Sequence, residues 1–371
     1  MKLLLTCGGT AGHVYPAVAL ARVFQRHYQD CQVLFVGADG GMELKLVAQE
    51  GYPIATVTIS NFRRSLSPKQ WGHNLKSAWN VVHSRRQAAG ILKDFSPDLV
   101  VGTGGYASFP AVRQAARMGI PTAIHESNAS PGLTTRTLAK YVDLVMVGFE
   151  EAVKSYEDPS KVKVTGTPVR PDFFALTRQQ ARAKLGLTDD RPVVLSFWGS
   201  LGASVMNREM LDFMACWREE DMPFHHIHGA GRDYETMRQG LSGRGLDPKD
   251  FDLRQYIYDM PTVMAAADLV LCRAGASTLS ELTATGKPAI LVPSPNVTAN
   301  HQFKNAKVLS DRGGALLVEE KDCSGQKLYG MVQDLLADGA GRDRMSQAQL
   351  SLAVPTAAED IYQALMKLMG H

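Results

Sequence analysis

Residues 2–24 read KLLLTCGGTAGHVYPAVALARVF, and this stretch decides the fold. The apolar run Leu3 to Leu5, closed by Thr6, has the length and composition of a buried strand. Glycines follow at Gly8, Gly9 and Gly12, and from Tyr15 to Arg26 the apolar residues recur at helical spacing. Strand, glycine turn and helix in that order open a βαβ unit. Glycine permits the tight turn and lets a ligand approach the backbone closely. The helix start adds amides and a partial positive charge, which favour a phosphate. The spacing is neither GxGxxG nor GxxxxGK[ST], and no acidic ribose partner follows about 20 residues on, which disfavours a dinucleotide oxidoreductase. A tight turn with no ligand is the ordinary alternative.

The same grammar continues along the chain. Strands are predicted at KLLLTC, QVLFVGA, ATVTI, DLVVGTG, PTAIHES, LVMVGF and KVKVTG, with helices such as Leu44–Glu50 between them. From about residue 192 the pattern restarts with PVVLSFW, a GSLGA turn and a helix, then FHHIHGAG, DLRQYI, LVLCRAG, PAILVPS and GALLVEE. The expectation is an α/β protein of two Rossmann-like doubly wound domains facing across a cleft. The expected boundaries are 1–167 for an N-terminal domain and 168–190 for a hinge around Pro168 and Pro171. A C-terminal domain spans 191–350, and 351–371 forms a helix packing back on the first domain.

Composition narrows the class. The 371 residues are 45% hydrophobic and 21% charged, ordinary for a globular protein and long enough for two cores. No apolar stretch is long enough to span a bilayer, and no leader is expected ahead of the first strand. Cys7, Cys31, Cys216, Cys272 and Cys323 are scattered without a CxxC pair, which fits reduced thiols better than a disulfide frame or a zinc site. Residues 1–170 hold 19 Lys and Arg against 12 Asp and Glu, whereas the remainder holds 21 against 25. The first half therefore suits an anionic partner, unless the imbalance is only surface composition.

Three more glycine clusters follow strands: Gly102, Gly104 and Gly105 in VGTGGYASFP, Gly199 and Gly202 in FWGSLGAS, and Gly275 in LCRAGASTLSEL. Four such loops point to a diphosphate-rich ligand set. After Gly275, Ser277 and Thr278 are expected to cap a helix. Glu281, a turn further on, suits either vicinal ribose hydroxyls or the helix dipole. In residues 63–86, Trp71, Leu75, Trp79 and Val82 recur at helical spacing among Arg63, Arg64, Lys69, Lys76, Arg85 and Arg86. A basic amphipathic segment with tryptophans suits an anionic membrane surface, and a helix packed on the sheet is the alternative.

Seven motifs in a fixed order carry a resemblance: CGGTAGHVYPAVALA, GTGGYASFPAV, IHESNASPGLTTRTLAK, VTGTPVRPDF, GSLGAS, CRAGASTLSELTATGKPAILVPSP and NHQFKNA. Together they resemble the GT-B glycosyltransferases, and among them the N-acetylglucosaminyltransferases of peptidoglycan synthesis. The resemblance runs over most of the chain. It implies UDP-N-acetylglucosamine as donor and an inverting transfer to the 4-hydroxyl of the muramoyl sugar of an undecaprenyl-diphosphate-linked acceptor, lipid I, giving lipid II. The second domain would bind the donor and the first the acceptor. No cofactor, metal or nucleic acid is implied. The expected location is the cytoplasmic face of the cell membrane, peripherally attached, with cell-wall synthesis proteins as partners.

Carried over by motif, the donor contacts are Thr10, Ala11, Gly12, Asn128, Arg170, Ser200, Ile257, Ala276, Ser277, Thr278, Leu279, Ser280, Glu281 and Gln302, with His301 competing for the role of Gln302. Gly9, Gly104, Gly105 and Tyr106 form acceptor diphosphate loops, and Trp71, Leu75, Trp79 and Val82 the membrane patch. The sequence departs from the family at Ala11, usually glycine; at Ser127, commonly Gln; at Thr167, often Asn; and at Trp198 and Leu201, where Gly-Gly-Ser-Gln-Gly is more usual. The other readings are a GT-B transferase for a different lipid or sugar, a UDP-N-acetylglucosamine 2-epimerase, and a binding protein without catalysis.

An inverting transfer needs a base for the acceptor hydroxyl, stabilisation of the departing diphosphate, and alignment of both ligands. His13 is the candidate base, because imidazole titrates near working pH and a helix N-terminus disfavours its protonated form. Its alternative is a histidine that only binds phosphate or closes the turn. His125 and Glu126 are the rival titrating pair. Ser200, the GSLGA amides and Arg170 are the candidate stabilisers of the leaving group. No Asp-x-Asp pair offers a metal site at a strand end.

Overall fold

The computed structural model describes residues 1–59, 83–199 and 202–370. The chain divides into two units, Met1–Arg170 with Val354–His371, and Pro171–Ala353.

In unit 1, β1 (Lys2–Thr6), α1 (Ala11–His27), β2 (Gln32–Ala38), α2 (Glu43–Gln49) and β3 (Ile54–Val57) come first. A helix α3 over 83–95, β4 (Leu99–Gly102), α4 (Ser108–Arg117), β5 (Thr122–Glu126), α5 (Leu133–Leu138), β6 (Leu144–Val147) and β7 (Val162–Val164) follow. All seven strands are parallel, in the order β3-β2-β1-β4-β5-β6-β7. The continuous apolar run of β1 has a simple cause, since its sheet is covered on both faces. Leu3 and Leu5 share one core with Val18 and Phe24 of α1, while Leu4 joins Val36, Val100 and Ile124 on the opposite face. Each of these leucines is fully buried, which contributes about 1.5–3 kcal/mol apiece.

The last helix of the chain, labelled below as α14, completes this unit. Ile361, Tyr362 and Leu365 enter the core of α1. Tyr362 stacks on His27 with centroids 4.0 Å apart and meets Phe24 edge-on at 5.0 Å.

Unit 2 comprises α6 (Arg178–Lys184), β8 (Val193–Phe197), α7 (Ser204–Glu219), β9 (His225–Gly229), α8 (Tyr234–Gly243), β10 (Asp252–Arg254), α9 (Met260–Ala266) and β11 (Leu269–Cys272). It continues through α10 (Ala276–Thr285), β12 (Ala289–Leu291), α11 (His301–Asp311), β13 (Leu316–Leu317), α12 (Gly325–Ala337) and α13 (Gly339–Leu352); α14 (Ala357–Leu368) then returns to unit 1. Its six strands are parallel in the order β10-β9-β8-β11-β12-β13. Residues 171–190 belong to this unit and are anchored in it. Thr177 and Gln180 close a capping box on α6, Ala181 packs on Ala265 and Ala266, and Arg178 grips Asp268 through two bonds of 2.7 and 2.9 Å.

Both sheets share one consequence of their strand order. The chain runs outward from β1 to β3 and then crosses back to β4 beside β1, and it does the same from β8 to β10 and back to β11. Ligands of doubly wound sheets bind at such switch points, beyond the carboxyl ends of the strands. The register aligns Thr6 with Gly102 and Phe197 with Cys272, so the glycine loops that follow these neighbouring strands leave in pairs from the same edge of each sheet.

The membrane-patch residues Trp71, Leu75, Trp79 and Val82 lie outside the described residues, as do Ser200 and Leu201. Among the described residues no helix is long and apolar enough to cross a membrane.

Candidate active site

At the switch point of unit 1 the two loops interlock. A Cβ on Gly105 would lie 2.0 Å from the Gly8 carbonyl oxygen, and one on Gly104 2.6 Å from His13 Cδ2. Both glycines have positive φ, +80° and +112°. Only glycine permits both the conformation and the approach. Tyr106 lies over Gly9, whose own added Cβ would stand 3.7 Å from the Tyr106 ring. Burial, aided by the charge of Glu43, raises the Tyr106 phenol pKa.

His13 stands in the first turn of α1, which begins at Ala11, earlier than the Tyr15 suggested by periodicity. Ala11 is not in the positive-φ region, so alanine in place of the family's glycine costs no strain there. His13 Nδ1 lies 2.7 Å from the Gly8 carbonyl oxygen and 3.3 Å from Thr10 Oγ1. A carbonyl only accepts, so Nδ1 carries the proton, and in the neutral ring Nε2 keeps the lone pair. Thr103 Oγ1 donates to the His13 backbone carbonyl at 2.7 Å, tying the second loop to the same turn.

The rival titrating pair is committed elsewhere. His125 is buried, bonds the Gly166 carbonyl through Nε2 at 2.9 Å, and burial lowers its pKa. Glu126 accepts from Asn128 N–H and Nδ2, at 3.0 and 2.8 Å, and from Gly132 N–H at 3.0 Å. That carboxylate braces the loop after β5, and Asn128 is oriented by it. Arg170 sets its guanidinium 4.6 Å from the centre of the Tyr15 ring on α1.

At the switch point of unit 2, Gly199 and Gly202 have φ of +89° and +74°. A Cβ on Gly202 would stand 2.5 Å from the Ala230 carbonyl oxygen. Gly275 occupies the N-cap of α10 and no side chain caps this helix. Ser277 and Thr278 therefore sit inside the first turn and do not cap it, contrary to the sequence expectation. The reason is that the strand-to-helix turn is closed one residue before Ala276. Leu279 is fully buried and Ala276 nearly so, which leaves their backbone as the part that could meet a ligand. Ser280 donates to the Ala276 carbonyl at 3.1 Å, and Glu281 follows on the next turn. Asn305 Nδ2 donates to the Ala274 carbonyl at 3.2 Å, so α11 supports this loop, and Gln302 accepts from Ser294 N–H at 2.8 Å in the loop after β12. Ile257 packs over the end of β9, 3.1 Å from where a Cβ on Gly229 would be.

Trp198 is 3% exposed and belongs to the core under α7, with the Arg273 guanidinium 5.9 Å from its ring centre. Its ring is core packing and not an open pocket wall.

The sequence reading missed a buried polar chain beneath the third loop. His226 and His228 alternate on one face of β9, and Ser196 pairs with His228 across the ladder. Ser196 Oγ lies 2.8 Å from His226 Nε2 and 2.7 Å from His228 Nδ1, and His228 Nε2 is 3.2 Å from Asn207 Oδ1. Asn207 Nδ2 donates to the Ala230 carbonyl and to Asp233, at 2.8 and 2.9 Å. These contacts orient every proton: His226 Nε2–H to Ser196, Ser196 O–H to His228, and His228 Nε2–H to Asn207. Burial lowers the His226 pKa to about 3 and that of His228 well below the usual value, so both are neutral. The only trace in the sequence is HH-x-H on a strand. Among the described residues no cluster of His, Cys, Asp or Glu could hold a metal ion.

Two doubly wound units, each with glycine loops at its switch point, define a two-domain α/β protein whose ligands bind beyond the carboxyl ends of its strands. Residues 3–147 match the N-terminal domain of glycosyltransferase family 28 and residues 193–361 its C-terminal domain, and the chain belongs to this family. It is 37% identical to a UDP-N-acetylglucosamine–N-acetylmuramyl-(pentapeptide) pyrophosphoryl-undecaprenol N-acetylglucosamine transferase of Desulforamulus reducens, covering 100% of this chain and 99% of that one. A protein of the same name from Acetivibrio thermocellus is 39% identical, covering 100% and 98%. The crystal structure of Acinetobacter baumannii MurG superposes with a TM-score of 0.73 at 26% identity, covering 99% of each chain. A UDP-GlcNAc 2-epimerase from Neisseria meningitidis, at 15% identity and a TM-score of 0.66 over 99% of this chain and 100% of that one, shares the fold.

Proposed function

We propose that this protein transfers N-acetylglucosamine from UDP-N-acetylglucosamine to the 4-hydroxyl of the muramoyl sugar of an undecaprenyl-diphosphate-linked acceptor, with inversion. The observation that carries the reading is the bonding of His13. Its Nδ1 is held by the Gly8 carbonyl, and that leaves Nε2 as the basic atom at a loop built for phosphate.

The steps follow from the chemistry of a direct displacement. His13 Nε2 takes the proton of the acceptor hydroxyl as its oxygen bonds the anomeric carbon. The anomeric C–O bond to UDP breaks, and UDP leaves with the electron pair. The acceptor's own diphosphate rests on Gly9, Gly104, Gly105 and Tyr106. The donor rests on the Gly199 loop with Ser200, on the first amides of α10 at Ala276 to Thr278, on Ile257, and on Gln302. Amides at a helix start favour the departing diphosphate through hydrogen bonds and the helix dipole. Glu281 accepts from the ribose hydroxyls. The protein works at the cytoplasmic face of the cell membrane, where its lipid acceptor resides, with residues 71–82 as the membrane contact.

The test is UDP release with a lipid-diphosphate acceptor in vesicles, comparing UDP-N-acetylglucosamine with UDP-glucose and UDP-glucuronate. Turnover with the first alone is expected, and equal turnover with either of the others overturns the sugar assignment. Glu281→Ala is expected to raise the donor KM about tenfold or more, the worth of a hydrogen bond to a charged group. An unchanged KM returns Glu281 to a helix-dipole role.

A further inference from the structure

Glu43 was no part of the site read from the sequence. Its side chain is fully buried at the start of α2, yet both carboxyl oxygens are engaged. Oε1 accepts from Ala38 N–H at 2.9 Å, and Oε2 accepts from Gly9 N–H at 3.2 Å. Glycines make the room for it. A Cβ on Gly37 would lie 2.6 Å from Glu43 Cγ, one on Gly41 2.4 Å from its carboxyl group, and one on Gly8 3.0 Å from Oε1.

Gly9 N–H and the Gly8 carbonyl are the two ends of one peptide group, and no peptide bond of the described chain is cis. In a planar trans peptide these ends point in opposite directions. One end is held by Glu43; the other accepts from His13 Nδ1–H at 2.7 Å. We propose that Glu43 is a positioning residue for His13, acting through the Gly8–Gly9 peptide group. This rests on the reading of His13 as the base. Rotating that peptide breaks both bonds together, so the carboxylate fixes the direction of the carbonyl that sets the imidazole. Hydrogen bonds in series also polarise one another. An anion at the N–H end strengthens the carbonyl as an acceptor and favours the tautomer with its lone pair on Nε2. A carboxylate bonded directly to imidazole does the same in a Ser-His-Asp triad; here a peptide group is inserted between them. Gly105 guards the arrangement, since any side chain there would displace the Gly8 carbonyl.

Two measurements on the full chain test this. The first uses wild-type protein with 15N-labelled histidine, with the His13 resonances assigned by their loss in His13→Ala. Neutral His13 is expected to be protonated at Nδ1 and bare at Nε2, and a neutral ring protonated at Nε2 overturns the proposal. The second is a double-mutant cycle on kcat. Glu43→Gln is expected to lower kcat about tenfold with both KM values within about twofold, and to change kcat by less than about twofold when His13 is already alanine. Equal losses in both backgrounds make Glu43 purely structural and overturn the proposal. Should His13→Ala keep wild-type kcat, the base reading fails and the mechanism proposed for Glu43 falls with it. A kcat lost in His13→Ala but untouched by Glu43→Gln removes Glu43 alone. The tautomer measurement needs no Glu43 variant and decides the matter even where Glu43→Gln does not fold.

Discussion

His13→Ala is expected to lower kcat by about 10²–10⁴-fold, the usual contribution of a general base, with little change in thermal stability. The side chain is only partly buried, so its removal leaves no closed cavity. What is lost is the basic Nε2 together with the single Nδ1–H bond to the Gly8 carbonyl, whose peptide group Glu43 still holds from its other end. Single-turnover kinetics with saturating donor and acceptor, beside a thermal melt, give the answer. A kcat within about threefold of wild type, in a folded protein, removes the base role. Gly104→Ala reaches the same atom without deleting it. The new methyl would stand 2.9 Å from His13 Nε2, on a residue whose φ is +112°. The ring must turn away or the loop must shift, and kcat is expected to fall in the same direction.

The second large effect is acid lability of unit 2. His226 and His228 are neutral in the fold, with the His226 pKa depressed to about 3 by burial and that of His228 also well below the ordinary value. In the unfolded chain each takes up a proton near pH 6.5. The unfolded state therefore binds more protons below that pH. The stabilisation is complete above about pH 6.5 and is lost as pH falls toward the folded values. Each histidine contributes a slope that approaches about 1.4 kcal/mol per pH unit once the pH is well below 6.5, so the pair approaches about 2.8 kcal/mol per unit near pH 5. Hydrogen exchange of the β8 and β9 amides across this range measures it. His226→Phe fits the nest of Phe213, Trp217 and Phe224 around that ring and is expected to halve the slope. An unchanged slope in that variant rules out His226 as a source of the lability.

Much of this architecture was legible in one dimension. Leu3 to Leu5 announced a strand buried on both faces, and the restart after residue 192 announced a second sheet. Those signals are local, because a side chain's burial repeats with the period of its own element. Failures came where geometry is not periodic. Ser277 and Thr278 have the chemistry of caps but sit inside the first turn, past the N-cap position that Gly275 already takes. His125 and Glu126 have the chemistry of a catalytic pair, but their partners are the Gly166 carbonyl, Asn128 and Gly132. HH-x-H on β9 gave no hint of its role, because the bond that explains it comes from Ser196 on the neighbouring strand.

From the sequence alone came the two successive α/β series, the glycine turn after four of the strands, the histidine at the first turn, and the likeness to a known transferase family. Tertiary structure alone decided that β1 lies beside β4 and β8 beside β11, which gathers four separate glycine loops into two pairs. It also decided which nitrogen of His13 is basic and that Glu43, 34 residues beyond Gly9, holds the other end of the same peptide. The physical reason is reach. Periodicity tells which face of an element is buried, but strand order and hydrogen-bond direction are set between elements far apart in the chain, and exist only once those elements have packed.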